Sequence, residues 1–261
     1  TGDAVQARVA EDLRKGKPIV VHVVVALCDN KDQGIVPVPK AIGNGQNPTS
    51  NLYWGAGFGL RYFFTQRAGW ALVQKDEAPS TGILERIMLR KVIQRGGREA
   101  PIYLVAEAWD GRAIKAATMR FLSMAAGEKA EVLNVQWKES PVRLQTAGAA
   151  HLLAYIGHDG LMDFTLAATP AMNPKAPPRS SVILACASKA YFQNALSNGG
   201  SHPLLLTTNL MAPEAYTLDA AVTTWAGGAS SAKIREAAAA AYAKYQKISL
   251  RAARGLFTGE P

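Results

Sequence analysis

Two cysteines and four histidines are few for a chain of 261 residues. No two of them stand at zinc-ligand spacing, which argues against a structural or catalytic zinc and leaves no metal and no other cofactor to expect. Two cysteines fit one disulfide, two free thiols or one reactive thiol, so they do not set a redox compartment. A membrane span needs roughly 18 to 20 apolar residues in a row. The best run, Ile19 to Cys28, is only strand-sized. The 29 Lys and Arg residues outnumber the 20 Asp and Glu and give a net charge of +9, but they are scattered. Zinc-finger spacing, an aromatic RNA-binding signature and a basic region followed by heptads are all missing, so no nucleic-acid partner is expected. There is no internal repeat and no domain-sized linker. A hydrophobic fraction of 48% with 19% charged residues is that of a chain that folds. One domain over residues 1–261 is the expectation. The chain opens on Thr1 and not on methionine, the basis for expecting a secreted or periplasmic protein that has lost an export signal.

What is present is an alternation of short apolar runs rich in β-branched residues with longer amphipathic stretches. That is the pattern of parallel strands covered by helices on both faces, hence an α/β class. Strands are expected at Pro18 to Leu27, Trp70 to Gln74, Ile83 to Ile93, Ile102 to Trp109, Leu152 to Ile156, Val182 to Ala185 and Leu204 to Thr208, with a further one near Glu131 to Trp137. Helices are expected at Leu52 to Gln66, Ala113 to Ala126, Glu214 to Trp225 and Ser231 to about Gly255. A long loop rich in Gly, Pro and Asn follows the first strand, and loops of that length are often functional.

Ligands of parallel α/β sheets bind at the carboxyl ends of the strands. Three polar sites fall there: Cys28-Asp29-Asn30, His158-Asp159 and Cys186. A cysteine nucleophile needs a neighbouring base, because only the thiolate attacks. A histidine at the end of an adjacent strand supplies one. Asn30 is the candidate to orient that imidazole, and the backbone amides of Gly160 and Cys186 are candidates for stabilising an oxyanion. The alternative for Cys186 is a small buried strand residue, the usual fate of a free cysteine.

The segments Leu152-Leu153-Ala154-Tyr155-Ile156-Gly157-His158 and Val182-Ile183-Leu184-Ala185-Cys186 resemble the two catalytic blocks of the caspase-like cysteine peptidases. The pattern is most similar to that of the legumains: Asn30 stands where their imidazole-orienting asparagine does, and Tyr191-Phe192 follows the cysteine block. The resemblance implies a caspase-like three-layer α/β/α sandwich with a mostly parallel sheet, and a thiol protease acting through His158 and Cys186 on a peptide or protein substrate. It further implies a specificity pocket walled by the loop at 29–34 and by Asn209 to Tyr216, with Asp29, Asp32, Asn209, Glu214 and Tyr216 as the substrate-binding residues. Two positions depart from the group's pattern. Asp159 replaces the glycine that usually follows the histidine, and Ala187-Ser188-Lys189 replaces the usual acidic or Gln residue and Ser-Gly. They support the alternative of a catalytically inactive caspase-like domain that binds a peptide or protein partner.

Overall fold

The computed structural model describes residues 1–259. Its centre is an eight-stranded mixed sheet. Five strands run parallel: β1 (Ile19–Ala26), β4 (Arg98–Trp109), β7 (Leu152–Ile156), β8 (Ser180–Leu184) and β9 (His202–Thr207). β2 (Ala71–Ser80) and β3 (Ile83–Arg95) extend one edge antiparallel, and the short β10 (Phe257–Thr258) closes the other. The order across the sheet is β10-β9-β8-β7-β1-β4-β3-β2. A two-stranded hairpin, β5 (Ala130–Trp137) and β6 (Ser140–Ala147), stands apart from it.

All eight residues of β1 are buried, as a Val-rich strand at the middle of a sheet covered on both faces should be. Successive side chains point to opposite faces. Val21, Val23 and Val25 belong to the core on one face, to which α1 (Gly2–Arg14), α2 (Leu60–Gln66), α5 (Ala215–Ala226), α6 (Ser231–Gln246) and α7 (Leu250–Leu256) also contribute. Val20 and Val24 meet α3 (Ile114–Ala125), α4 (Ser188–Gly199) and the hairpin. The α/β class and the mostly parallel sheet agree with the sequence expectation. Among the described residues no helix is long and apolar enough to cross a membrane.

Several elements differ from the expectation, four of them for a local reason. The helix expected at Leu52 to Gln66 begins only at Leu60, because the glycines before it let the chain fold onto itself: a Cβ on Gly59 would lie 2.4 Å from the Trp54 amide nitrogen, and one on Gly55 2.0 Å from the Thr49 carbonyl oxygen. The last helix is two, since Lys247 turns into the left-handed region at φ 55° and Ser249 caps a new start by accepting from the Ala252 amide. Strand β6 escapes the pattern because only its last residues are buried and Pro141 lies near its start. The β3–β4 connection is the two-residue turn Gly96-Gly97, both at positive φ, as a hairpin of that length requires.

Candidate functional site

Because β1, β4, β7, β8 and β9 are parallel, the residues after them gather along one edge of the sheet. Ile156 pairs with Leu184 in the β7–β8 ladder, so His158 and Cys186 each stand two residues past a matched pair on neighbouring strands. Both line one cavity of about 280 Å³. Gly157 reaches the same cavity at φ 143°, and a Cβ there would sit 2.7 Å from the Ala26 carbonyl oxygen. The glycine before the histidine thus lets the chain leaving β7 pass close to the end of β1.

Cys186 is held from beneath. The next residue, Ala187, is forced to φ 49°, ψ 32°, a left-handed conformation unusual for a residue with a Cβ. It makes the turn by which β8 passes directly into α4. Ala187 donates its amide to the Asn209 carbonyl oxygen. Ser188 and Thr207 exchange bonds: each amide reaches the other's hydroxyl, at 3.0 and 2.9 Å, and the Thr207 hydroxyl also donates to the Ala185 carbonyl oxygen. Thr207 on β9 therefore serves the open amide end of α4 in place of an N-cap side chain. The strain at Ala187 has a measurable size: Ala187→Gly is expected to stabilise the protein by about 0.5–1 kcal/mol in denaturant titrations, the relief of a left-handed alanine less the added freedom of the unfolded glycine.

The thiol is partly exposed and free. Its Sγ accepts from the Met211 amide at 3.4 Å and donates to the Met211 carbonyl oxygen at 3.5 Å. His158 is buried, and its Nε2 lies 2.7 Å from Oδ2 of Asp163. The same carboxylate oxygen accepts from the Gly34 amide at 2.9 Å and so ties the imidazole to the loop after β1. An ionised carboxylate only accepts, which puts the proton on Nε2 and leaves Nδ1 as the imidazole's basic nitrogen.

Asp163, which sequence reasoning did not single out, holds the imidazole where Asn30 was expected to. Asn30 commits both side-chain groups to Val38, accepting from its amide at 2.9 Å and donating to its carbonyl oxygen at 2.7 Å, so it organises the long loop instead of the imidazole. Of the oxyanion candidates, Cys186 lines the cavity. Gly160 begins a short 3-10 turn, packed where Phe164 and Ile114 would meet any Cβ.

The two loops expected to wall a specificity pocket do meet at the cavity, through neighbours of the residues singled out. Gly34, Ile35 and Val36 come from one, and Leu210, Met211 and Pro213 from the other. The five expected residues are employed elsewhere. Asp29 is buried and accepts from the amides of Lys31 and Asp32 and from the Gln46 side chain, shaping a turn. Asp32 is exposed on that turn, and Asn209 folds its side chain onto the Leu210 amide. Glu214 and the Tyr216 hydroxyl both accept from Gln246, and Tyr216 is buried in a stack on Tyr245 at 4.4 Å between ring centroids.

Tyr53 forms another part of the cavity wall and reaches Cys28 behind it. Burial pushes the Cys28 thiol up to about 11, with a hydrogen bond from Tyr53 acting in the opposite sense. Cys28 thus stays protonated and inert at neutral pH, and it is free, not bridged to Cys186. The loop carrying Tyr53 is pinned by Asn51, whose Oδ1 accepts from the amides of Cys28 and Tyr53 and whose Nδ2 donates to the carbonyl oxygens of Cys28 and Asn44. Among the described residues no group of three His, Cys, Asp or Glu side chains could hold a metal ion. Comparison of the chain with protein-family models, with curated proteins and with solved structures gave no match.

Proposed function

We propose that this protein is a cysteine peptidase of the caspase-like type, with Cys186 as nucleophile and His158 as its base. The observation that carries the reading is that the two residues end adjacent parallel strands in register and line one cavity, with the imidazole held by Asp163. In this reading Nδ1 of His158 takes the thiol proton and the Cys186 sulfur attacks the peptide carbonyl carbon. As the carbon–nitrogen bond breaks, the proton passes to the departing amine. Water, deprotonated by the same imidazole, then attacks the thioester, releasing the carboxylic acid and restoring the thiol. Asp163 is a positioning residue that fixes the tautomer. The mostly parallel sheet with helices on both faces is compatible with the caspase-like three-layer sandwich.

A second reading, a non-catalytic domain that binds a peptide, is favoured by the engagement of Sγ with the Met211 backbone. One experiment separates the two. Wild-type protein, Cys186→Ala and His158→Ala are incubated with a peptide library and the products read by mass spectrometry. The peptidase reading expects cleavage lost in Cys186→Ala and reduced at least a hundredfold in His158→Ala. Library peptides retained intact by all three proteins with equal affinity would establish the binding reading instead.

A further inference from the structure

We infer that the site takes a peptide by an uncharged, apolar side chain on the acyl side of the scissile bond. The inference rests on the peptidase reading and goes beyond it to the substrate class. The wall of the cavity beside Cys186 and His158 is supplied by Ile35, Val36, Met162, Leu210, Met211 and Pro213. Among the described residues that line it, none is Asp, Glu, Lys or Arg. A basic side chain entering it would lose its water and meet no carboxylate, and an acidic one would meet no guanidinium or ammonium; either is expensive in an apolar enclosure. The carboxylates around the cavity do not line it: Asp29 accepts from two amides and Gln46, Asp163 accepts from His158 and the Gly34 amide, and Asp32 lies exposed on its turn. The protein's net charge of +9 also disfavours the approach of cationic substrates.

The mouth of the cavity carries the same signature. Val36 is 88% exposed, Leu210 69% and Met162 44%, three large apolar side chains left in water around one opening. Exposed apolar side chains gathered at a concavity mark a place that another apolar group covers. A volume of about 280 Å³ admits one side chain of leucine to phenylalanine size but not a bulky ligand. Val36 and Leu210 come from different loops, so the entering side chain would be gripped from both sides while its carbonyl lies toward Cys186.

The test uses a set of tetrapeptide acyloxymethyl ketones that differ only in the residue next to the reactive group, Leu, Phe, Met, Asn, Arg or Asp, with iodoacetamide as a reference for thiol reactivity. The readout is the rate of mass addition at Cys186. The Leu, Phe or Met probe should label at least tenfold faster than the Arg and Asp probes. Leu210→Glu should reverse the order of Leu and Arg; Leu210 is an exposed rim residue, so the substitution leaves the core intact. Fastest labelling by Arg, Asp or Asn, or equal labelling by all, would overturn the apolar specificity while the peptidase reading stands. Alkylation by iodoacetamide with no labelling by any peptide probe would overturn the peptidase reading, and this inference with it.

Discussion

Replacing Glu107 by alanine is expected to destabilise the protein by about 3–5 kcal/mol, seen as a lowered midpoint in denaturant unfolding. Glu107 is fully buried in β4 beneath the β5–β6 hairpin. Its Oε1 accepts from His22 Nε2 at 2.9 Å and from Arg120 at 3.0 Å, and its Oε2 accepts from the Trp109 indole at 3.0 Å. Burial opposes its ionisation, yet His22 and Arg120 overcome that and hold the carboxyl well below the usual carboxylate range. On the far side, His22 Nδ1 accepts from the Ala147 amide, and Arg120 donates two hydrogen bonds to the Glu131 carboxylate. The chain of contacts therefore runs from the sheet centre to both strands of the hairpin. Removing its middle member leaves a buried imidazole, the Trp109 indole and a half-buried guanidinium each short of an acceptor, and an unpaired buried donor costs far more than the pair contributes. Glu107→Gln, which keeps the volume and one acceptor, should lose markedly less. A loss below about 1 kcal/mol for the alanine variant would contradict the argument.

The second large effect depends on pH. Asp159 is buried, its Oδ1 accepts from the Leu161 amide at 3.0 Å, and its Oδ2 has no partner. Burial raises its carboxyl to about 7, the Leu161 amide opposing and Asp163 adding to the rise. A carboxyl raised in the folded state binds its proton more tightly there than in the unfolded chain. Its contribution is therefore intact below the unfolded value near 4 and is lost as pH climbs through the folded value near 7. The wild-type protein should lose up to about 3–4 kcal/mol from this one group between pH 4 and pH 8. Asp159→Asn cannot ionise, so its stability relative to wild type should rise by that order over the same interval. The measurement is the difference in unfolding free energy between variant and wild type at pH 5 and pH 8.5; a difference unchanged by pH would refute the assignment.

Much of the frame could be read from residues because it is dictated by local chemistry. Leu152–Ile156 was legible as a strand to the residue, since a fully buried parallel strand shows as an unbroken apolar run. The edge of the sheet that carries His158 and Cys186 was legible for the same reason: strand ends are marked where the apolar run stops. Asp163 was not, because its link to His158 is made by a short 3-10 turn at Gly160–Met162 that brings a carboxylate back onto the ring, and no periodicity announces such a turn. The two loops expected to wall a pocket do meet at the cavity, but through other residues than those singled out. Polar side chains in a loop draw the eye as ligands, whereas Asp29 and Asn30 satisfy backbone amides of their own loop and leave the apolar neighbours Ile35 and Val36 to face outward. Helix α4 was missed because Ala187 carries no capping side chain; the capping hydroxyl comes from Thr207, remote in sequence.

From Leu27 to Gly59 the chain forms neither strand nor helix, yet it brings Gly34, Ile35, Val36 and Tyr53 to the cavity wall. It has no ladder to distribute its hydrogen bonds, and a single carboxamide, that of Asn51, holds four backbone groups drawn from three separate places along it. A segment built this way does not fray from its ends. The amides of Cys28 and Tyr53 share one acceptor and are released together when that carboxamide lets go, so their hydrogens should exchange with solvent at one shared rate and not at rates set by the local exposure of either residue.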